Sequence, residues 1–131
     1  MASVEKSKAF DVPADEMWKR IGDFHRLQTW APGIEKEERV ENGKRRLTLG
    51  GGMQMVERLV AVGERQYTYA IEEGPLPIRN YVATLSVREA GPGSCIVAWS
   101  SEFEPDGISA DQAVAIEAIY DAGLNGLEAS L

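Results

Sequence analysis

From Ile34 to Pro105 the chain alternates apolar and polar side chains, broken only by short turns rich in Gly and Pro. Those turns are Glu41-Asn-Gly-Lys44, Gly50-Gly51-Gly52, Gly74-Pro-Leu-Pro77 and Gly91-Pro-Gly93. A period of two is the signature of strands with one face buried, and short turns between successive strands make an antiparallel meander. After Pro105-Asp-Gly107 the pattern changes. Ser109 with Gln112 has the form of a capping box, and no proline follows it. Ala113, Ile116, Tyr120, Gly123, Leu124, Leu127 and Leu131 recur at helical spacing. A helix from residue 110 to 131 would be about 33 Å long, enough to cross a whole sheet.

Before the meander, residues 4–12 alternate loosely and predict a first strand. Pro13 opens a short helix, with Asp15 and Glu16 near its positive end and Lys19 and Arg20 near its negative end. Met17, Trp18 and Ile21 form its apolar face. Asp23 can cap a second helical piece over residues 24–29, which Trp30-Ala-Pro-Gly33 ends. The expected fold class is therefore α+β, a single domain spanning residues 1–131. In it a curved antiparallel sheet of six or seven strands wraps a long C-terminal helix, with two short helices after the first strand.

Composition narrows the function classes. Of 131 residues, 44% are hydrophobic and 27% charged, which places the chain among globular proteins. A net charge of −7, with the basic residues scattered, opposes binding to nucleic acid or to an anionic membrane. No run approaches the roughly 20 apolar residues of a membrane span. The N-terminus shows no apolar stretch of a signal peptide, and one cysteine allows no internal disulfide, so a cytoplasmic location is expected. A single His and a single Cys provide no metal-ligand set. Cys95 reads as a small buried hydrophobe. Gly50–Gly52 join two strands with no helix following, which is not the context of a phosphate-binding loop.

The glycine hairpin also predicts register. If its turn centres on Gly51, Leu49 faces Met53, Leu47 faces Met55 and Arg45 faces Glu57. The apolar residues mark this as the inner face, so Arg45 and Glu57 are expected as an opposed pair there. A charge in that place must be paired or solvated. The pair reads equally as a structural clasp and as a functional site. In the second reading Arg45 anchors a ligand oxygen and Glu57 serves as acceptor or base. Burial would raise the Glu57 pKa and Arg45 would lower it.

The ordered set of motifs resembles the helix-grip fold of the START-related, birch-pollen-allergen-like superfamily (SRPBCC), specifically its polyketide cyclase/dehydrase branch. The residues that carry the resemblance begin with Pro13-Ala-Asp-Glu-Met-Trp18, Gly22-Asp-Phe24 and Trp30-Ala-Pro-Gly-Ile34. They continue with Gly43-Lys-Arg45, Glu57-Arg-Leu59, Tyr67-Thr-Tyr69, Gly74-Pro-Leu-Pro77 with Tyr81, Trp99 with Phe103, and Gly123-Leu-Asn-Gly-Leu127. The resemblance runs nearly end to end. It implies a cavity between sheet and C-terminal helix, gated by the short helices and loops, and no cofactor. Trp30, Met53, Met55, Tyr69, Tyr81, Leu85, Val97, Trp99 and Tyr120 are the expected ligand-binding residues, and Glu57 and Arg45 the catalytic candidates. His25 sits at the expected entrance. The expected function is binding of a small, mostly hydrophobic molecule by a monomer or homodimer. The alternative is a cofactor-free cyclase or dehydratase using Glu57 and Arg45.

Overall fold

The computed structural model describes residues 2–41, 43–74, 78–105 and 109–131. The predicted turn at Asn42, the Pro75–Pro77 and Asp106–Gly107 junctions and the Ser109 side chain of the capping box lie outside the described residues. Strand β1 (Ala2–Phe10) is followed by helix α1 (Ala14–Ile21) and a 3-10 helix (Phe24–Thr29). Strands β2 (Ile34–Glu41), β3 (Lys44–Leu49), β4 (Gln54–Gly63), β5 (Gln66–Glu73), β6 (Ile78–Gly91) and β7 (Ser94–Pro105) come next, and α2 (Ser109–Ser130) closes the order.

All seven strands form one sheet in the order β1-β7-β6-β5-β4-β3-β2, antiparallel throughout. The meander accounts for six of them, and β1 adds to β7 at the far edge. The predicted elements and the helix-grip layout are thus present. The hairpin register is as forecast: Arg45 pairs with Glu57 and Leu47 with Met55. The turn that sets it needs glycine, because Gly51 and Gly52 have φ of +83° and +80°.

The central strands β5, β6 and β7 bury alternate residues on the concave face. Tyr67 and Tyr69 of β5, Tyr81, Ala83, Leu85 and Val87 of β6, and Cys95, Val97, Trp99, Ser101 and Phe103 of β7 are all buried. Helix α2 lays Ile116, Tyr120, Leu124 and Leu127 against this face and contacts β1 and β7, while α1 contacts β6 and β7. Leu131 lies past the end of α2 and is exposed.

Two glycines on α2 let other groups approach its backbone. A Cβ on Gly123 would stand 2.7 Å from Trp99 Cζ3, and one on Gly126 would stand 2.2 Å from Pro32 Cδ. The first contact seats the Trp99 ring beneath the helix, and the second seats the Trp30–Gly33 loop on it.

Candidate functional site

Between the middle of α2 and strands β3–β7 the sheet and helix do not close completely. A cavity of about 240 Å³ remains. Its floor is Leu47, Met55, Tyr69, Ile71, Tyr81 and Trp99, and Ile116 and Tyr120 of α2 form its roof. Leu27 and the Ala31–Ile34 segment stand on another side. Glu57 is the one side chain with a formal charge among the lining residues.

Register explains how Glu57 comes to be there. It lies on β4 between Arg45 of β3 and Ile71 of β5, with its side chain on the concave face. It is 4% exposed and Arg45 is 0% exposed. Arg45 Nε donates to Glu57 Oε1 at 2.8 Å, and Nη2 approaches the same oxygen at 2.6 Å. Among the described residues, Oε2 has no partner. Burial raises the proton affinity of the Glu57 carboxyl above the usual carboxylate range, and Arg45 opposes this without cancelling it.

Arg45, expected to anchor a ligand oxygen, is not among the residues that line the cavity. Its guanidinium carbon sits 3.9 Å from the centroid of the Phe24 ring and 5.1 Å from that of Tyr69. Its Nη1 donates to the Phe24 carbonyl at 2.5 Å. The side chain is wedged between β3 and the 3-10 helix, so one cation holds both Glu57 and the entrance segment.

The aromatic side chains are linked by hydrogen bonds as well as packing. Trp99 Nε1 donates to the Tyr69 hydroxyl at 2.9 Å. The hydroxyls of Tyr81 and Tyr120 form a short hydrogen bond. Trp99 stacks on Tyr120 with centroids 4.7 Å apart and planes 13° apart, so the two rings make one flat slab. Desolvation pushes the Tyr120 hydroxyl up to about 12 and Tyr69 and Tyr81 well above their ordinary value, so all three remain neutral O–H groups.

Of the other expected ligand-binding residues, four do not line the cavity. Met53 is 50% exposed, because it precedes β4 at the glycine turn, where the covered part of the concave face has ended. Leu85 and Val97 are 0% exposed but lie in the closed core and not along the cavity. Trp30 is buried against Trp99, at a centroid distance of 5.7 Å, and backs the wall without lining it. Met55, Tyr69, Tyr81, Trp99 and Tyr120 all line it. His25 is partly buried, its backbone N–H bonded to Asp23, and is not a lining residue.

Glu37 lies on β2, a charged strand at the edge of the sheet. Its carboxylate accepts from the backbone N–H of Leu27 at 3.2 Å and of Gln28 at 2.8 Å. The Gln28 side chain returns a hydrogen bond to the Glu35 carbonyl at 3.0 Å. The 3-10 helix therefore covers the β2 edge. Glu37 is one of four glutamates in β2, and nothing in the sequence sets it apart from the others.

A sequence family described as polyketide cyclase/dehydrase and lipid transport matches residues 1–131. The chain belongs to this family. Among curated proteins no sequence matches. Among solved structures, the protein XoxI from Bacillus cereus is 32% identical with a TM-score of 0.92, over 97% of this chain and 93% of its own. An uncharacterised protein from Bacillus thuringiensis is 30% identical with a TM-score of 0.92, over 96% of both chains. A START superfamily protein from Mycobacterium smegmatis, 16% identical, shares the fold with a TM-score of 0.71 over 98% of this chain and 92% of its own. The family member thus shares the helix-grip fold of that START superfamily protein. Among its described residues no helix is long and apolar enough to cross a membrane.

Proposed function

We propose that this family member binds a compact, mostly apolar molecule in the cavity between sheet and α2. The observation that carries the reading is the cavity's size together with its walls. A void of about 150 Å³ lined by apolar side chains suffices for benzene, and pockets for drug-sized ligands start at about 300 Å³. At about 240 Å³ this one suits a single substituted ring. The flat Trp99–Tyr120 slab offers such a ring a stacking face, and Met55 and Ile71 adapt around its edge.

The test is titration with 1,4-dimethylbenzene, followed by tryptophan fluorescence, since Trp99 is part of the wall. Saturable quenching with one site per chain is the expected result, and Ala31→Phe, which fills the cavity at the Ala31–Ile34 side, should abolish it. Quenching that never saturates, or that survives in the Ala31→Phe variant, sinks the proposal.

A second reading, cofactor-free proton transfer of the cyclase or dehydratase kind, is favoured by one observation. Glu57 has a raised proton affinity and a lining position, with neutral tyrosine hydroxyls on the same cavity. Glu57 would serve as base and a tyrosine O–H would steady the developing oxyanion. Hydrogen–deuterium exchange of a bound ring-bearing ketone, lost in Glu57→Gln, would favour this reading. Equal exchange with and without protein would end it.

A further inference from the structure

The polar features of the cavity select more than size. Both contacts of Arg45 with Glu57 end on Oε1, and among the described residues Oε2 makes no hydrogen bond, on a residue that is 4% exposed and lines the cavity. A buried carboxylate oxygen without a hydrogen bond is costly, and a donor placed beside it recovers that cost. Arg45 gives Nε to Oε1 and Nη1 to the Phe24 carbonyl, and its Nη2, 2.6 Å from Oε1, forms no hydrogen bond, so none of its donors is bonded to Oε2. The tyrosines face different constraints. Tyr69 accepts from Trp99 and the Tyr81 and Tyr120 hydroxyls bond each other, and among the described residues none of the three is bonded to Glu57.

Charge narrows the choice of donor. The Arg45–Glu57 pair closes at zero net charge, and among the described residues no other lining side chain carries a formal charge. A ligand carboxylate would add a second anion beside Glu57, with no cation among the described lining residues to meet it. A ligand ammonium would compete with Arg45 for one carboxylate and leave an excess positive charge buried. Either arrangement carries the large cost of an uncompensated buried charge. A neutral hydroxyl does neither.

We propose that the ligand of this cavity is a neutral molecule of about one ring bearing a hydroxyl, which donates to Glu57 Oε2 while the ring lies against the Trp99–Tyr120 slab. The assignment rests on the cavity-binding reading above and narrows it. It excludes free carboxylic acids, including fatty acids, as the preferred ligand. It also recasts Arg45 as a positioning residue, one that fixes which oxygen of Glu57 faces the ligand without touching it.

Four probes of matched shape separate the possibilities: 4-methylphenol, 1,4-dimethylbenzene, 4-methylbenzoate and protonated 4-methylbenzylamine, each titrated at neutral pH. The phenol should bind about tenfold tighter than the hydrocarbon, the size of preference that a hydrogen bond to a charged group confers. Both charged probes should bind more weakly than the phenol. In the double variant Arg45→Met/Glu57→Leu, which removes both charges together so that neither is stranded, the ratio of phenol to hydrocarbon affinity should fall to about one. In the native protein the side-chain carboxyl carbon resonance of Glu57 should move on adding the phenol and stay in place with the hydrocarbon, a readout that needs no variant to fold. Equal affinity for phenol and hydrocarbon would overturn the assignment and leave the cavity-binding reading standing. Tighter binding of the carboxylate or the ammonium would also overturn it. Failure of all four probes to bind would remove both.

Discussion

One concave face is packed shut at one end and hollow at the other. Beneath α1, strands β6 and β7 carry Leu85, Val87, Cys95 and Val97, and α1 adds Met17 and Ile21; none of the six is more than 5% exposed. Beneath the middle of α2, Met55, Glu57, Tyr69 and Ile71 border a void. The two regions share strands and alternation but differ in what covers them. A two-turn helix with an apolar face drives side chains into the sheet. Over the hollow, α2 roofs the void with Ile116 and Tyr120, while the 3-10 helix and the loop after it reach in only with Leu27 and Pro32 at one side. The void stands where these covering elements do not fill the concave face, and the Arg45–Glu57 pair lies beside it.

That pair is the place to break the contrast most severely. Arg45→Met should destabilise the protein by about 3–5 kcal/mol, because Glu57 is left buried without its partner. It should also free the 3-10 helix, which loses its bond from Arg45 to Phe24. The double variant Arg45→Met/Glu57→Leu should recover most of that loss. Urea denaturation of both variants checks it, and a single variant as stable as the parent would mean the pair is solvated and not a clasp.

Next in size are truncations in the two regions. Leu85→Ala, in the closed part, should cost about 2–5 kcal/mol, since the surroundings are packed on all sides. Leu47→Ala should cost less than half as much, because Leu47 borders the cavity and already lacks neighbours on one side. Equal losses would mean that the hollow closes in solution.

The sequence allowed the closed and hollow regions to be assigned to one face but not told apart. Period-two alternation assigned Leu85, Val97, Tyr69, Tyr81 and Trp99 to the inner side, and the buried pattern agrees. Which of them meet empty space depends on where α1 lands, a tertiary fact that no strand periodicity contains. Met53 failed for a simpler reason. Parity continues through a turn on paper, whereas Gly51 and Gly52 at positive φ put Met53 outside the strand. Arg45 was placed on the correct face and opposite the correct partner. Its burial under Phe24 was hidden because residues 21 positions apart had to be brought together. Glu37 was legible only as a charge on an edge, since its partners are backbone N–H groups.

The Gly126 seat tests the rim of the hollow region. Helix propensity alone would make Gly126→Ala stabilising by roughly 1 kcal/mol. A Cβ there would overlap Pro32 and stand 3.1 Å from the Trp30 carbonyl oxygen. Displacing the loop should cost about 1–3 kcal/mol, the usual penalty of overpacking, so the net effect should be a loss. Binding of 1,4-dimethylbenzene should speed up in both directions, seen by stopped-flow fluorescence, because Pro32 borders the cavity. A stabilised variant with unchanged rates would show that the loop is not seated on the helix.

The smallest expected effect lies at the seam beside Phe24, where His25 stacks edge-on at 5.2 Å. Its pKa is lowered from 6.5, first by desolvation, then by Arg39, with Arg45 adding to the same direction and Asp23 and Glu37 opposing it. The folded state therefore binds a proton less readily than the unfolded chain. Stability is fully present above pH 6.5 and declines as the pH falls from that value toward the lowered folded one. His25→Asn should flatten the stability profile in that window and leave it unchanged above. Because Arg45 contributes to the shift, Arg45→Met should also move the His25 titration upward, measurable from its imidazole resonances. An unshifted titration in that variant would separate His25 from the clasp and assign its lowered proton affinity to burial and Arg39.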